Sequence, residues 1–168
     1  VFGFSNSNNE HYKAHEEIDP EVSKFLNHKP PILLVDKILD LKPGIHSKTS
    51  LKLGEDKWFF NCHYPDYPVM PGTLLLEAMS QTMTLSITSM KAFSDEWGGH
   101  LLLSGMTDVK FKKEALPGIE LLITAQVVSF KRGIVKGNIK CEADAELICS
   151  CTMIIVIPNA IKQLSNQI

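Results

Sequence analysis

His63 and Glu77 stand fourteen positions apart and are the two side chains here whose types and surroundings suit acid-base chemistry. An imidazole can take a proton near neutral pH, and a carboxyl group can give one. His63 opens a stretch in which Pro65, Pro68 and Pro71 recur at spacing three. Each proline fixes φ and withholds a backbone donor, so the spacing predicts a stiff extended loop from His63 to Gly72. Stiffness is what a positioned catalytic group requires. Taken singly, both residues have ordinary explanations: a carboxylate early in a helix is favoured by the helix dipole, and a loop histidine is commonly a surface or capping residue. Their combination across a loop and a helix is what points to chemistry.

The element that must carry Glu77 follows Gly72. Residues 73–90 form an apolar run interspersed with serine and threonine, with Glu77 as their one charge, which predicts a buried helix. Glu77, Gln81 and the hydroxyl side chains argue against lipid as its surroundings.

Three segments resemble one family's active-site signature: Phe59-Phe60-Asn61-Cys62-His63-Tyr64-Pro65, Pro68-Val69-Met70-Pro71-Gly72, and Glu77-Ala78-Met79-Ser80-Gln81. That family is the FabZ-type (3R)-hydroxyacyl-[acyl-carrier-protein] dehydratases, which share the same histidine-to-glutamate spacing. Asn27-His28-Lys29-Pro30-Pro31-Ile32-Leu33-Leu34-Val35-Asp36-Lys37 is similar to the family's N-terminal motif, and Val109 to Lys113 and Leu116-Pro117-Gly118 resemble later ones. The likeness runs over about residues 25 to 157.

The resemblance implies an α+β hot-dog fold, a long central helix wrapped by a curled antiparallel sheet. It also implies a homodimer with two shared active sites, with a trimer of dimers as a further form. His63 of one subunit would be the base and Glu77 of the other the acid, with the backbone N–H of Gly72 as donor to the developing enolate oxygen, a role that the helix dipole also favours. Val69, Leu74, Met79 and Met83 are candidates for lining an acyl tunnel, although the plain reading is that they are core. Leu102 falls where the family commonly carries a gating tyrosine. Cys62 replaces the family's glycine, and Ile119 is a further departure. Glu77 points to the FabZ branch rather than the related dehydratase-isomerases, which usually have aspartate there. The implied partner is an acidic acyl carrier protein. Lys112, Lys113, Lys131 and Arg132 suit its docking as well as they suit solvated strand ends. No metal or redox cofactor is implied.

The chain's own patterns agree with such a fold. Residues 32–41 and 46–53 read as two strands about the Pro43-Gly44 turn, and Ser94 to Gly99 reads as a loop after the helix. Stretches near 100–111, 119–130, 134–141 and 146–157 read as four further strands, separated by Pro117-Gly118, Arg132-Gly133 and Ala143-Asp144.

With 168 residues, 44% hydrophobic and 21% charged, the chain suits one domain with its own core, and a net charge of −2 gives no reason to expect a nucleic-acid partner. Residues 1–18 are expected to be a flexible polar tail without an apolar signal core, 19–158 the domain, and 159–168 a C-terminal tail. Asp19-Pro20-Glu21 has the form of a helix start. Cys62, Cys141, Cys149 and Cys151 lack metal-ligand spacing and read as free thiols of a cytoplasmic protein. A thiol nucleophile at Cys62 is disfavoured, because neighbours in an extended segment point to opposite sides. Two other functions stay open: a hot-dog thioesterase, in which a helix carboxylate directs water at the thioester, and a non-catalytic acyl-binding subunit.

Overall fold

The structure, a computed structural model, describes residues 18–165. The expected N-terminal tail therefore falls almost wholly outside the described residues. Ordered elements begin with the short helix α1, Pro20–Phe25, whose N-cap Asp19 accepts a hydrogen bond from the Glu21 N–H while Pro20 occupies the first turn, as the sequence predicts.

Six strands form one antiparallel sheet: β1 (Lys37–Lys42), β2 (His46–Lys52), β3 (Leu102–Phe111), β4 (Glu120–Lys131), β5 (Ile134–Ala143) and β6 (Glu146–Val156). Their order is β1-β2-β4-β5-β6-β3, which leaves β1 and β3 as the edges. The long helix α2, Gly72–Thr88, lies against β2, β4 and β5, giving the α+β hot-dog arrangement. Alternation of buried and exposed residues along β5 shows why: Val135, Gly137, Ile139 and Cys141 face the helix, and the lysines between them face solvent. Gly137 is required by that packing, since a Cβ there would stand 2.9 Å from the Met83 Cε.

Helix α2 buries Leu75, Ala78, Met79, Thr82, Met83 and Ser86, a set with the three-to-four spacing of one helix face. Burying a side chain such as Met79 or Met83 contributes about 2 kcal/mol from its apolar area. The hydroxyl groups on this face are satisfied across the interface. Thr82 hydrogen-bonds Thr49 at 2.7 Å and the Ala78 carbonyl at 3.0 Å, and Ser47 donates to the Thr82 carbonyl. Hydroxyls that would be costly in lipid are thus matched by those of β2.

The structure departs from the sequence expectations in several places. The first strand starts at Lys37 rather than Ile32, because the Leu34 and Val35 N–H groups bond to the buried side-chain oxygen of Gln81, at 3.0 and 3.4 Å, instead of joining a ladder. Within the expected loop after α2, Phe93–Trp97 form a π-helical turn. Residues expected as a C-terminal tail form helix α3, Pro158–Ser165, which buries Ala160 and is tied down by Asn159 Nδ2 donating to the Trp97 carbonyl (2.7 Å) and Gln163 Nε2 to the Glu96 carbonyl (2.8 Å). The last β-turn is also shifted by one residue, with Asp144 and Ala145 as its left-handed pair at φ 48° and 64°.

Candidate active site

His63 is held almost entirely by its own neighbourhood. The 3-10 turn Trp58–Asn61 precedes it, and the His63 N–H donates to the Phe59 carbonyl at 2.9 Å. The Val69 N–H donates to the His63 carbonyl at 3.0 Å, and the imidazole Nδ1 lies 2.9 Å from the Val69 carbonyl oxygen. Since a carbonyl can only accept, Nδ1 carries a proton, and in the neutral ring Nε2 then keeps its lone pair, the tautomer a general base needs. Tyr64 stacks on the imidazole at 4.2 Å, and the segment closes on itself through paired bonds between Tyr64 and Tyr67. The proline-rich stretch is therefore a compact, self-closed turn rather than the extended loop that its prolines predicted. Tyr67 Oη donates to Glu114 at 2.8 Å, and that carboxylate pushes the phenol above its ordinary pKa.

The glutamate is held differently. Glu77 is half-buried on the second turn of α2, and its Oε1 accepts from Gln81 Nε2 at 2.8 Å. Gln81 is 1% exposed. Its amide nitrogen also donates to the Ile32 carbonyl at 2.6 Å, while its oxygen takes the two N–H groups of residues 34 and 35. His28 Nε2 stands 3.5 Å from the same Oε1. Sequence reasoning singled out neither Gln81 nor His28 as a site residue. The signal was present in the four-residue spacing from Glu77 to Gln81, which puts both on one helix face.

Glu77 and His28 border a cleft of about 600 Å³. Ser80, Thr84 and Thr88 continue the α2 side, and Phe93, Leu101, Leu103 and Ile155 supply apolar walls. His63 does not border this cleft, so one chain does not bring the two candidate residues into a common pocket.

Gly72 begins α2 after Pro71, which offers no side-chain cap, and the first N–H groups of a helix have no intrahelical acceptor. The Phe111 ring covers this point so closely that a Cβ on Gly72 would come within 2.9 Å of it. Glycine is thus needed for the approach.

The remaining expected residues divide. Met79 and Met83 are fully buried core residues, and Val69 and Leu74 are half-buried. None of the four borders the cleft. Leu102 is 54% exposed on the edge strand and stands outside the cleft as well; strand alternation gives that position to Leu103. The four basic residues do not form one patch. Lys112 and Lys113 adjoin the start of β6, where both N–H groups reach the Ile148 carbonyl and Lys113 pairs with Glu146. Lys131 and Arg132 sit at the β4–β5 turn, beyond the opposite end of β5, a ten-residue strand of about 30 Å. Cys62 is exposed, with Sγ 3.4 Å from the Phe59 carbonyl, whereas Cys141, Cys149 and Cys151 are buried, their thiols pushed up by burial to about 12, 11 and 12. Among the described residues no cluster has the composition of a metal site. No described helix is long and apolar enough to cross a membrane.

Fold and site together define a hot-dog domain with a histidine in the loop before its central helix and a half-buried glutamate on that helix's second turn. A family model for the FabA-like domain matches residues 26–152, and the chain belongs to that family. Two relatives named 3-hydroxyacyl-[acyl-carrier-protein] dehydratase FabZ support the FabZ-type resemblance. The protein from Syntrophomonas wolfei is 36% identical over 129 residues, covering 77% of this chain and 88% of its own. That from Staphylococcus haemolyticus is 32% identical over 141 residues, covering 83% and 94%. Among solved structures, the dehydratase heterocomplex ApeI:P from Xenorhabdus doucetiae matches with a TM-score of 0.71 at 17% identity, covering 86% of this chain and 97% of that one. A hypothetical thioesterase from Streptococcus pneumoniae matches at 0.56 and 13%, covering 73% and 89%. Both are likenesses of fold.

Proposed function

We propose that this protein dehydrates (3R)-hydroxyacyl-[acyl-carrier-protein] to the trans-2-enoyl form, with His63 of one subunit and Glu77 of the other in a shared site. The observation that carries the reading is the His63 ring, whose Nδ1 is engaged by the Val69 carbonyl so that Nε2 is left to accept a proton. His63 Nε2 removes a Cα proton, and the thioester oxygen gathers negative charge against the Gly72 N–H. As the Cα–Cβ double bond forms, the β-hydroxyl leaves with a proton from Glu77, so water and the enoyl thioester are the products. Each positioned acid or base is worth about 10²- to 10⁴-fold.

A second chain supplies what one chain lacks. His63 is not among the residues that border the Glu77 cleft of a single chain, and β3 is an edge strand carrying the exposed Leu102, Leu103 and Phe111. An unpaired strand edge with apolar side chains favours pairing with a copy of itself. The acyl chain would follow the cleft along α2, and a soluble carrier protein in the cytoplasm would deliver it. Thioesterase activity is the competing reading, since the fold is shared and a helix carboxylate serves it too. It leaves the base-competent tautomer of His63 unexplained.

Mass spectrometry of a 3-hydroxyacyl thioester after incubation separates the two. Loss of one water is expected; loss of the thiol carrier would replace this reading with the thioesterase.

A further inference from the structure

Glu77 is bordered by a second histidine, and the chemistry above gives that residue no task. His28 follows α1 in the chain and lines the same cleft as Glu77. Its Nε2 is 3.5 Å from Glu77 Oε1, the same oxygen that accepts from Gln81 Nε2 at 2.8 Å. Its other ring nitrogen, Nδ1, is buried without a hydrogen-bond partner.

Resting on the dehydratase reading, we propose that His28 is a positioning residue for Glu77, acting with Gln81 as a two-donor clamp on Oε1 so that Oε2 alone exchanges the proton. An oxygen that accepts from two N–H groups has no room to carry a proton of its own, so the acidic proton is confined to the other oxygen. Two donors also fix the carboxyl plane, which one donor leaves free to rotate. The tautomer follows from burial: with the proton on Nε2, the ring offers a donor to Glu77 and buries only a lone pair at Nδ1, whereas the opposite tautomer buries an unpaired N–H and turns a lone pair on the carboxylate. The 3.5 Å separation is longer than a formed hydrogen bond, and catalytic contacts of this kind tighten when substrate fills the site. His28 touches Glu77 rather than the reacting carbon atoms, which is why it is a positioning residue.

Side-chain geometry supplies the test. A glutamine amide nitrogen reaches the place of histidine Nε2, while an asparagine nitrogen reaches only the place of Nδ1. On the dimeric enzyme with a 3-hydroxyacyl thioester, His28→Ala should lower kcat by about tenfold or more and leave KM within about twofold, as loss of a hydrogen bond to a charged group predicts. His28→Gln should recover kcat to within about threefold of wild type, and His28→Asn should not. A readout independent of turnover is the Glu77 carboxyl ¹³C resonance, assigned by its loss in Glu77→Gln. It should move in His28→Ala and return in His28→Gln. The proposal is overturned by an unchanged kcat in His28→Ala, by equal behaviour of the glutamine and asparagine variants, or by a resonance that stays in place. Should His28→Ala fail to fold, the Gln and Asn pair decides by the same two readouts. Absence of dehydration by the wild-type protein would sink the function reading, while the resonance would still judge the clamp.

Discussion

The loop that carries His63 and the helix turn that carries Glu77 are held in opposite ways. Every bond orienting the imidazole comes from residues 59 to 69, so the ring is set by a segment about ten residues long. Glu77 is oriented by Gln81, and Gln81 is anchored to Ile32, Leu34 and Val35, 46 to 49 positions away in sequence. A group fixed locally should survive changes elsewhere in the fold. One fixed through long-range bonds should fail with them.

The largest effects test whether both regions do chemistry at all. His63→Ala and Glu77→Gln should each reduce turnover by at least about 10²-fold with little change in melting temperature, as positioned acid-base groups predict. Mixed dimers of the two variants should regain part of the activity, because one of their two shared sites is intact. Proven mixed dimers without activity would refute the shared site.

Gln81→Leu should show the cost of long-range anchoring. It leaves the Leu34 N–H, the Val35 N–H and the Ile32 carbonyl without their buried partner, and should lower stability by about 2–4 kcal/mol and turnover with it. Denaturant unfolding and steady-state kinetics on the same sample would measure both. A stable, fully active Gln81→Leu protein would mean that residues 32–35 hold Glu77 by other means.

The two basic islands offer an intermediate effect. Gly72 contacts Phe111, which immediately precedes Lys112 and Lys113, whereas Lys131 and Arg132 lie at the far end of the sheet. Lys112→Glu should therefore raise KM for carrier-linked substrate several-fold and flatten its salt dependence, with Arg132→Glu changing it less than about twofold. Small thioester analogues should be used equally by both. The reverse ranking would put the carrier at the other end of the cleft.

The smallest effect is expected where the local loop has a distant tie. Tyr67→Phe removes the bond to Glu114 and leaves the closed His63–Val69 segment intact, so turnover should stay within about threefold and stability within about 1 kcal/mol. A loss comparable to that of Gln81→Leu would erase the contrast between loop and helix.

That contrast also explains what could be read from residues alone. The FabZ-type motifs, the helix after Gly72, the Asp19 cap and most of β2 to β6 were legible because each depends on nearest neighbours: proline fixes its own φ, and strands declare themselves by alternation. The order around His63 is local too, but the prolines predicted an extended path, and the paired bonds between Tyr64 and Tyr67 close it into a turn. Several features were decided only by tertiary structure. Residues 32–36 have strand composition, yet a buried amide from α2 takes their N–H groups first. The C-terminal segment has too little apolar sequence to announce a packed helix, and it folds because Trp97 and Glu96 present carbonyls to it. Lys112 and Arg132 look alike in sequence but are separated by the length of β5. His28 meets Glu77 only because α1 is folded back beside α2, a juxtaposition that no spacing in the chain encodes, since side chains 49 residues apart meet only when packing brings their elements together.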